Sequence, residues 1–281
     1  MIHPKEKDDA VSPVIALMLI LAILATCMAV YTTTYVPGLK QQDEITHSGE
    51  VKFAFMRFAS DIDNTIAQGK PAVYTEVLEL GGGDVPLSPS KSSGTVEITE
   101  KPVAKLTIGE SVMFINTAEI SYIPSFTSWE PQGYLYRNGV VWITKDEKIT
   151  PASLQKYRIS DGIEDETAVL KGWFSQITTS QDESGNGLGG LLGSIIGGGT
   201  SSKTSVIIPQ MKTGTSAAVT GSGIAKLKLQ AETETKTYTE TVTLTLLNGE
   251  GDDDDEIIWS KSGTMLNSVE ITWLNIEVSV E

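Results

Sequence analysis

Hydrophobic and polar positions divide the chain into two regimes. From Val14 to Val36 there is no charged residue, and the polar side chains are threonines and tyrosines gathered toward the end of the run. As an α-helix this run is about 35 Å long, enough to cross a hydrocarbon layer of about 30 Å. It is apolar on every face, and in lipid only a helix lets such a segment satisfy its own backbone. Tyr31 and Tyr35 lie at one end, where aromatic rings favour the membrane interface. Pro37-Gly38 then predicts a kink or a short break, because proline lacks an N–H and clashes with the preceding turn. Farther on, Phe55, Phe58, Ala59, Ile62 and Ile66 recur at three- and four-residue spacing and form one apolar face of an amphipathic helix. Asp43, Glu44, Glu50, Arg57, Asp61 and Asp63 fall largely on other faces. His47 lies on the more polar upstream part and reads as a solvated side chain. Gly69 followed by Pro71 is a helix stop. The pattern predicts a long helix over residues 11–68 with a kink near Pro37, its apolar stripe covered by the protein's own downstream domain.

From residue 70 the period changes to two. Short β-branched or alternating runs are punctuated by Gly, Pro, Asn and Asp. They predict strands over 72–80, 94–99, 103–108, 111–117, 133–144, 205–209, 223–230, 233–247 and 268–280, with short helices at 151–157 and 256–266. Asn138-Gly139 between two apolar runs predicts a type I′ hairpin. Threonine stands at every odd position from Thr233 to Thr245, which would put all of them on one face of a single strand. In the last run Val269, Ile271 and Trp273 share one face, while Leu274, Ile276, Val278 and Val280 share the other. That switch predicts a β-bulge or a strand moving between two packing layers. The fold class is therefore α+β: a long, kinked, hydrophobic N-terminal helix followed by a β-rich headpiece over 69–281, sandwich-like or a twisted antiparallel sheet.

Composition narrows the function. Asp+Glu number 36 against 21 Lys+Arg, a formal charge of −15. That argues against nucleic acid as a partner, since phosphate neutralisation needs a basic surface. The sole cysteine, Cys27, excludes an intramolecular disulfide, and with only His3 and His47 there is no Cys₂His₂ or Cys₄ zinc site. Nothing pairs a nucleophile with a histidine and an orienting acid, so the expectation is a non-enzymatic protein without a cofactor. Within the glycine-rich segment 185–199, Gly185, Gly187 and Gly190 spell G-x-G-x-x-G. Further glycines follow where the motif needs a helix, and the segment reads as a loop. The acids Asp252–Asp255 and Glu256 lack the spacing of a calcium loop and read as a solvated turn, with a weak cation site as the alternative.

The N-terminus is more specific. Residues 1–10 are charged and net negative, and no small-x-small cleavage site follows the apolar run as it would in a secretory signal. The polar-to-apolar junction instead precedes the run, at Asp9-Ala10-Val11-Ser12-Pro13-Val14-Ile15. This segment resembles the N-terminus of archaeal type IV pilins and pilin-like proteins, which carry a charged residue, Gly or Ala, a stretch close to V-S-P-V-I-G, and then about twenty apolar residues. Ala16 stands where many relatives have Gly, and the likeness covers residues 8–36. It implies a class III signal peptide: a leader over 1–10, cut between Ala10 and Val11 by a prepilin peptidase, with the helix retained. Bacterial type IV pilins carry Glu at the fifth mature position, where this chain has Ile15, as in the archaeal branch. The resemblance implies a precursor in the cell membrane and then a major or minor subunit of an extracellular surface filament. Its partners would be membrane lipid, the peptidase and other pilin subunits. Ser12, Pro13, Val14, Ile15, Ala16 and Ala22 would belong to the membrane and assembly helix, and a headpiece this large suits an adhesive role. A single-pass, membrane-anchored extracellular β-domain that never polymerises is the alternative.

Overall fold

The computed structural model describes residues 12–82, 85–86, 88, 90–146, 148–152, 170, 173–174, 177–180, 203–247, 256–261 and 268–281. One continuous helix opens the chain and a β-rich region follows, so the architecture is α+β with an N-terminal helix and a β headpiece. The helix comprises α1 (Ser12–Val30), a π-helical turn (Tyr31–Tyr35) and α2 (Val36–Gln68). It does not break at Pro37. The Val36 amide donates to the Tyr31 carbonyl, one residue farther back than in an α-helix. This wider turn sits where the proline ring would clash with the preceding turn and where its missing N–H interrupts the ladder. Gly69 closes α2 in the left-handed region, at φ 58°, and its amide donates to the Thr65 carbonyl at 3.0 Å.

Among the described residues the strands form two sheets. The first has the order β1 (Ala72–Glu79), β10 (Ile224–Tyr238), β13 (Val269–Val280), β8 (Lys203–Thr213) and β7 (Ile177–Ser180). It is antiparallel except where β13 runs parallel to β8. The second has the order β12 (Glu256–Lys261), β11 (Val242–Leu246), β2 (Ser93–Ile108), β3 (Ser111–Ser125), β4 (Gly133–Arg137), β5 (Val140–Lys145) and β6 (Lys148–Pro151), and β9 (Ala218–Gly221) also pairs with β2. The sheets meet where β8 packs on β2 and β3, and α2 lies against β1 and β10 of one sheet and β4 and β5 of the other. One core runs through all three layers, from Phe55, Phe58 and Ile62 of α2 to Leu106, Ile120, Leu229 and Ile276 of the sheets. The turn between β4 and β5 has Asn138 at φ 51° and Gly139 at φ 82°, the two positive values a type I′ hairpin requires.

Several sequence expectations are corrected. The runs 94–99 and 103–108 are one strand, β2, carried past Pro102 by a register shift between Pro102 and Ala104. Proline is tolerated there because a bulge leaves a ladder position without a donor. The threonine row is not one strand. It divides at Thr239–Thr241, where the chain leaves the first sheet at Tyr238 and enters the second at Val242. Thr235 then pairs its hydroxyl with Thr272 at 3.1 Å in one sheet, and Thr243 with Ser260 at 2.9 Å in the other. The switch at Trp273–Leu274 carries no bulge, since β13 keeps unbroken register with both β10 and β8. The strand is interior to its sheet, and burial passes from one face to the other along its length. Residues 256–261 are a strand rather than a helix. The segment 185–199 and Asp252–Asp255 lie outside the described residues, as does most of 151–157.

Phe58 is 1% exposed and Phe53, five residues earlier on the same helix, is 62% exposed. Phe58→Ala should destabilise the full chain in detergent by about 3–5 kcal/mol, the range for a buried aromatic truncated in a core. Phe53→Ala should stay within about 0.5 kcal/mol of wild type. Denaturant unfolding of both variants measures the difference, and equal midpoints would contradict the packing of α2 on the headpiece.

Candidate functional site

Two regions of the long helix carry the functional reading. The first is α1. Pro13, Val14, Ile15, Ala16 and Ala22 all lie exposed on it, as do Leu17, Met18, Leu21 and Leu24, at 57–65% for these four. Ser12 opens the helix, while Asp9, Ala10 and Val11 lie outside the described residues. Among the described residues, no part of the headpiece covers this segment. Threonine hydroxyls here and in the π-helical turn fold back on the helix: Thr26 donates to the Ala22 carbonyl at 2.7 Å, Thr33 to Ala29 at 2.7 Å and Thr32 to Met28 at 3.0 Å. With these three hydroxyls paired inside the helix, the surface left over along α1 is predominantly apolar, as lipid or a neighbouring apolar helix requires.

The second region is the seam between the first half of α2 and the headpiece. Buried positions recur as Val36, Lys40, Glu44, His47, Ser48, Val51, Ala54, Phe55, Phe58, Ala59, Ile62, Thr65 and Ile66, so a single stripe runs the length of α2. Its lower part is apolar and its upper part polar. Each polar member meets a partner from the loops and strands above. Lys40 Nζ donates to the Ser90 carbonyl at 2.6 Å, to the Ser90 hydroxyl at 2.9 Å and to the Thr127 hydroxyl at 2.7 Å. Glu44, fully buried, accepts the Ser92 and Thr127 hydroxyls on Oε1, the Thr127 amide on Oε1 at 2.8 Å and the Ser128 amide on Oε2 at 2.9 Å. Ser48 meets Tyr134, whose hydroxyl donates to the Ser48 carbonyl at 2.8 Å.

His47 was expected in solvent and is instead 3% exposed. Its ring meets Tyr122 and Phe126 edge-on, with centroids 6.3 and 6.0 Å away. Its Nε2 lies 3.0 Å from the Tyr122 hydroxyl, which itself donates to the Leu80 carbonyl at 3.0 Å. A phenol has one proton, so with that proton on Leu80 the Tyr122 oxygen can only accept. Nε2 therefore carries the imidazole hydrogen, and in the neutral ring Nδ1 is a bare lone pair. Burial pushes the His47 imidazole below its ordinary range, and the carboxylates of Glu79, Glu50, Asp43 and Glu44 pull it up without offsetting that. The ring borders a cavity of about 430 Å³ that also takes in Asp43, Glu50, Glu79, Gly82, Lys91 and Ser92. Burial likewise pushes Tyr122 and Tyr134 up, so both phenols stay protonated donors.

Glu44 shows how the seam tolerates a buried charge. Burial pushes its carboxyl up, but the Ser92 hydroxyl and the Thr127 and Ser128 amides outweigh that and hold it below its ordinary value of 4.5. No protein-family model, curated protein or solved structure matches the chain. Sequence reading found α1 and missed the seam, because it sought apolar residues and took the charged ones as evidence of solvent. The signal was present: Lys40, Glu44, His47 and Ser48 continue the three- and four-residue spacing of the stripe below them.

Two outcomes follow for the seam. A carboxyl whose folded value is depressed stabilises the fold above its unfolded value and loses that contribution as pH falls through the folded value. Wild type should therefore lose stability as pH drops below about 4.5. Glu44→Gln should cost about 1.5–3 kcal/mol at neutral pH and remove Glu44's share of the acid dependence. Unfolding midpoints measured against pH would contradict this if the two curves ran parallel. A Cβ on Gly94 would sit 2.5 Å from both the Leu80 carbonyl oxygen and a Tyr122 ring carbon. Gly94→Ala should thus destabilise by about 1–3 kcal/mol by pushing Tyr122 from its seat, read by unfolding and by tyrosine fluorescence.

Proposed function

We propose that the chain is a structural subunit of a type IV pilin-like surface filament, held in the cell membrane as a precursor and assembled through its N-terminal helix. The observation that carries this reading is the state of the helix. Its first half is apolar on every face and uncovered, and its second half is built into the headpiece core as one continuous rod. Such a rod presents one surface to two successive solvents, first lipid and then copies of itself. The likeness of Asp9–Ala16 to archaeal pilin N-termini supports the same reading, with the cut between Ala10 and Val11. The headpiece would then face outward from the filament, where its extent suits an adhesive role in a major or minor subunit. The role is non-enzymatic and calls for no cofactor, and the partners are the peptidase, lipid and other pilin subunits.

N-terminal mass spectrometry of protein from its native envelope, with a sheared surface fraction alongside, tests the reading. The mature chain should begin at Val11 and appear in the sheared fraction, and Ala10→Trp should accumulate the longer precursor. Ala22→Glu places a charge in the middle of α1. Insertion tolerates a central acid at about 2.5–3.5 kcal/mol, but in an assembled core the penalty recurs at every subunit contact. The ratio of sheared to membrane-bound protein should therefore fall. A retained Met1 and no protein in any sheared fraction would assign the chain to the alternative class, a membrane-anchored β-domain that does not polymerise.

A further inference from the structure

The seam holds an arrangement that the filament reading does not use. A ring nitrogen of His47 and one carboxylate oxygen from each of Glu50 and Glu79 lie within 4.8 Å of one another. His47 and Glu50 are three residues apart on one face of α2, and Glu79 ends β1, so the group bridges the stem and the headpiece. Nε2 of His47 is committed to Tyr122, while Nδ1 is buried and makes no hydrogen bond. A buried nitrogen lone pair is rarely left without a partner, because desolvating it without replacement costs free energy. Here the neighbouring groups on the open side are carboxylates, which offer only further lone pairs. Among the described residues, three acids (Asp43, Glu50 and Glu79) and one ammonium, Lys91, line the cavity, so carboxylates outnumber cations there. Lone pairs converging from a nitrogen and two carboxylates are electrostatically incomplete without a cation between them.

We propose that His47, Glu50 and Glu79 bind a first-row divalent cation of the zinc type, through Nδ1 of His47 and one carboxylate oxygen of each glutamate, with solvent completing the shell. The donor set selects the ion. Imidazole nitrogen with carboxylate oxygen suits zinc and its neighbours, whereas calcium and magnesium prefer oxygen alone. The Tyr122 contact is the outer-shell bond that such sites use to fix the histidine tautomer. Closing the ligand atoms to the edge of a tetrahedral shell, about 3.4 Å, needs movement only from Glu50 and Glu79, which are exposed, while His47 is held. The bound ion would tie α2 to the end of β1.

The test is zinc titration of the full chain in detergent, purified without a histidine tag and stripped with chelator, followed by calorimetry and thermal unfolding. Wild type should bind zinc at this site at micromolar free metal and unfold at a higher temperature with it, and a millimolar excess of magnesium or calcium should not displace it. Glu50→Gln with Glu79→Gln alters only exposed side chains, so the fold should persist while affinity at this site falls by more than about tenfold. Tyr122→Phe, which frees the ring, should weaken binding about 10–100-fold. Cobalt in place of zinc should give visible absorption bands in wild type that the double variant lacks. Zinc affinity and thermal shift unchanged in the double variant, no uptake by wild type, or displacement by calcium would each overturn the proposal.

Discussion

The headpiece depends on one stripe of α2. Thirteen positions from Val36 to Ile66 are buried along it, and both sheets close over its lower part. Without that cover, the inner faces of β1, β10, β4 and β5 would present apolar surface to water. The helix is therefore a layer of the core as much as a stem, and the boundary between the uncovered apolar segment and the headpiece does not fall where the helix ends. It falls inside the rod, near the π-helical turn, where burial begins at Val36.

The change from polar to apolar along this stripe has an energetic logic. Phe55, Phe58 and Ile62 lie within the buried hydrophobic cluster, where an unpaired polar atom would cost free energy. Near its N-terminal end α2 meets loops around Ser90, Ser92 and Thr127, whose backbone groups have no ladder to join. Lys40 and Glu44 supply the missing donors and acceptors. A carboxylate that accepts two backbone amides and two hydroxyls is stable in that setting because its charge is spread over four bonds. The same loops, filled with leucine against the helix, would leave those amides unsatisfied.

How much of this was legible in the sequence follows from the same physics. The apolar run, the Gly69 stop, the stripe from Phe55 to Ile66 and the Asn138-Gly139 hairpin were readable, because each rests on a local rule: period, capping or turn geometry. The strand limits failed where a tertiary partner overrode the local signal. Pro102 reads as a break, yet β3 on one side and β9 and β11 on the other hold β2 together across it. The threonine row reads as one strand because period two is blind to a chain that changes sheets. The seam shares the spacing of the stripe below it, but the partners that make the burial of Glu44 and His47 tolerable, the Ser92 hydroxyl that donates to one and the Tyr122 oxygen that accepts from the other, stand 48 and 75 residues away, where no local pattern brings them together.

The seam also bears on what a continuous rod does under load. Apolar packing resists separation but is weakly directional, and a smooth stripe can shift along its groove for small changes in buried area. Hydrogen bonds to charged groups fix distance and angle, so Lys40 on Ser90 and Glu44 on Thr127 and Ser128 oppose sliding of α2 along its own axis. These bonds stand at the end of α2 nearest α1, where any force on the apolar helix enters the headpiece. The segment between them is helical throughout, since the π-turn keeps the backbone paired past Pro37. A displacement of α1 along the rod would thus meet these short, directional contacts before the apolar core.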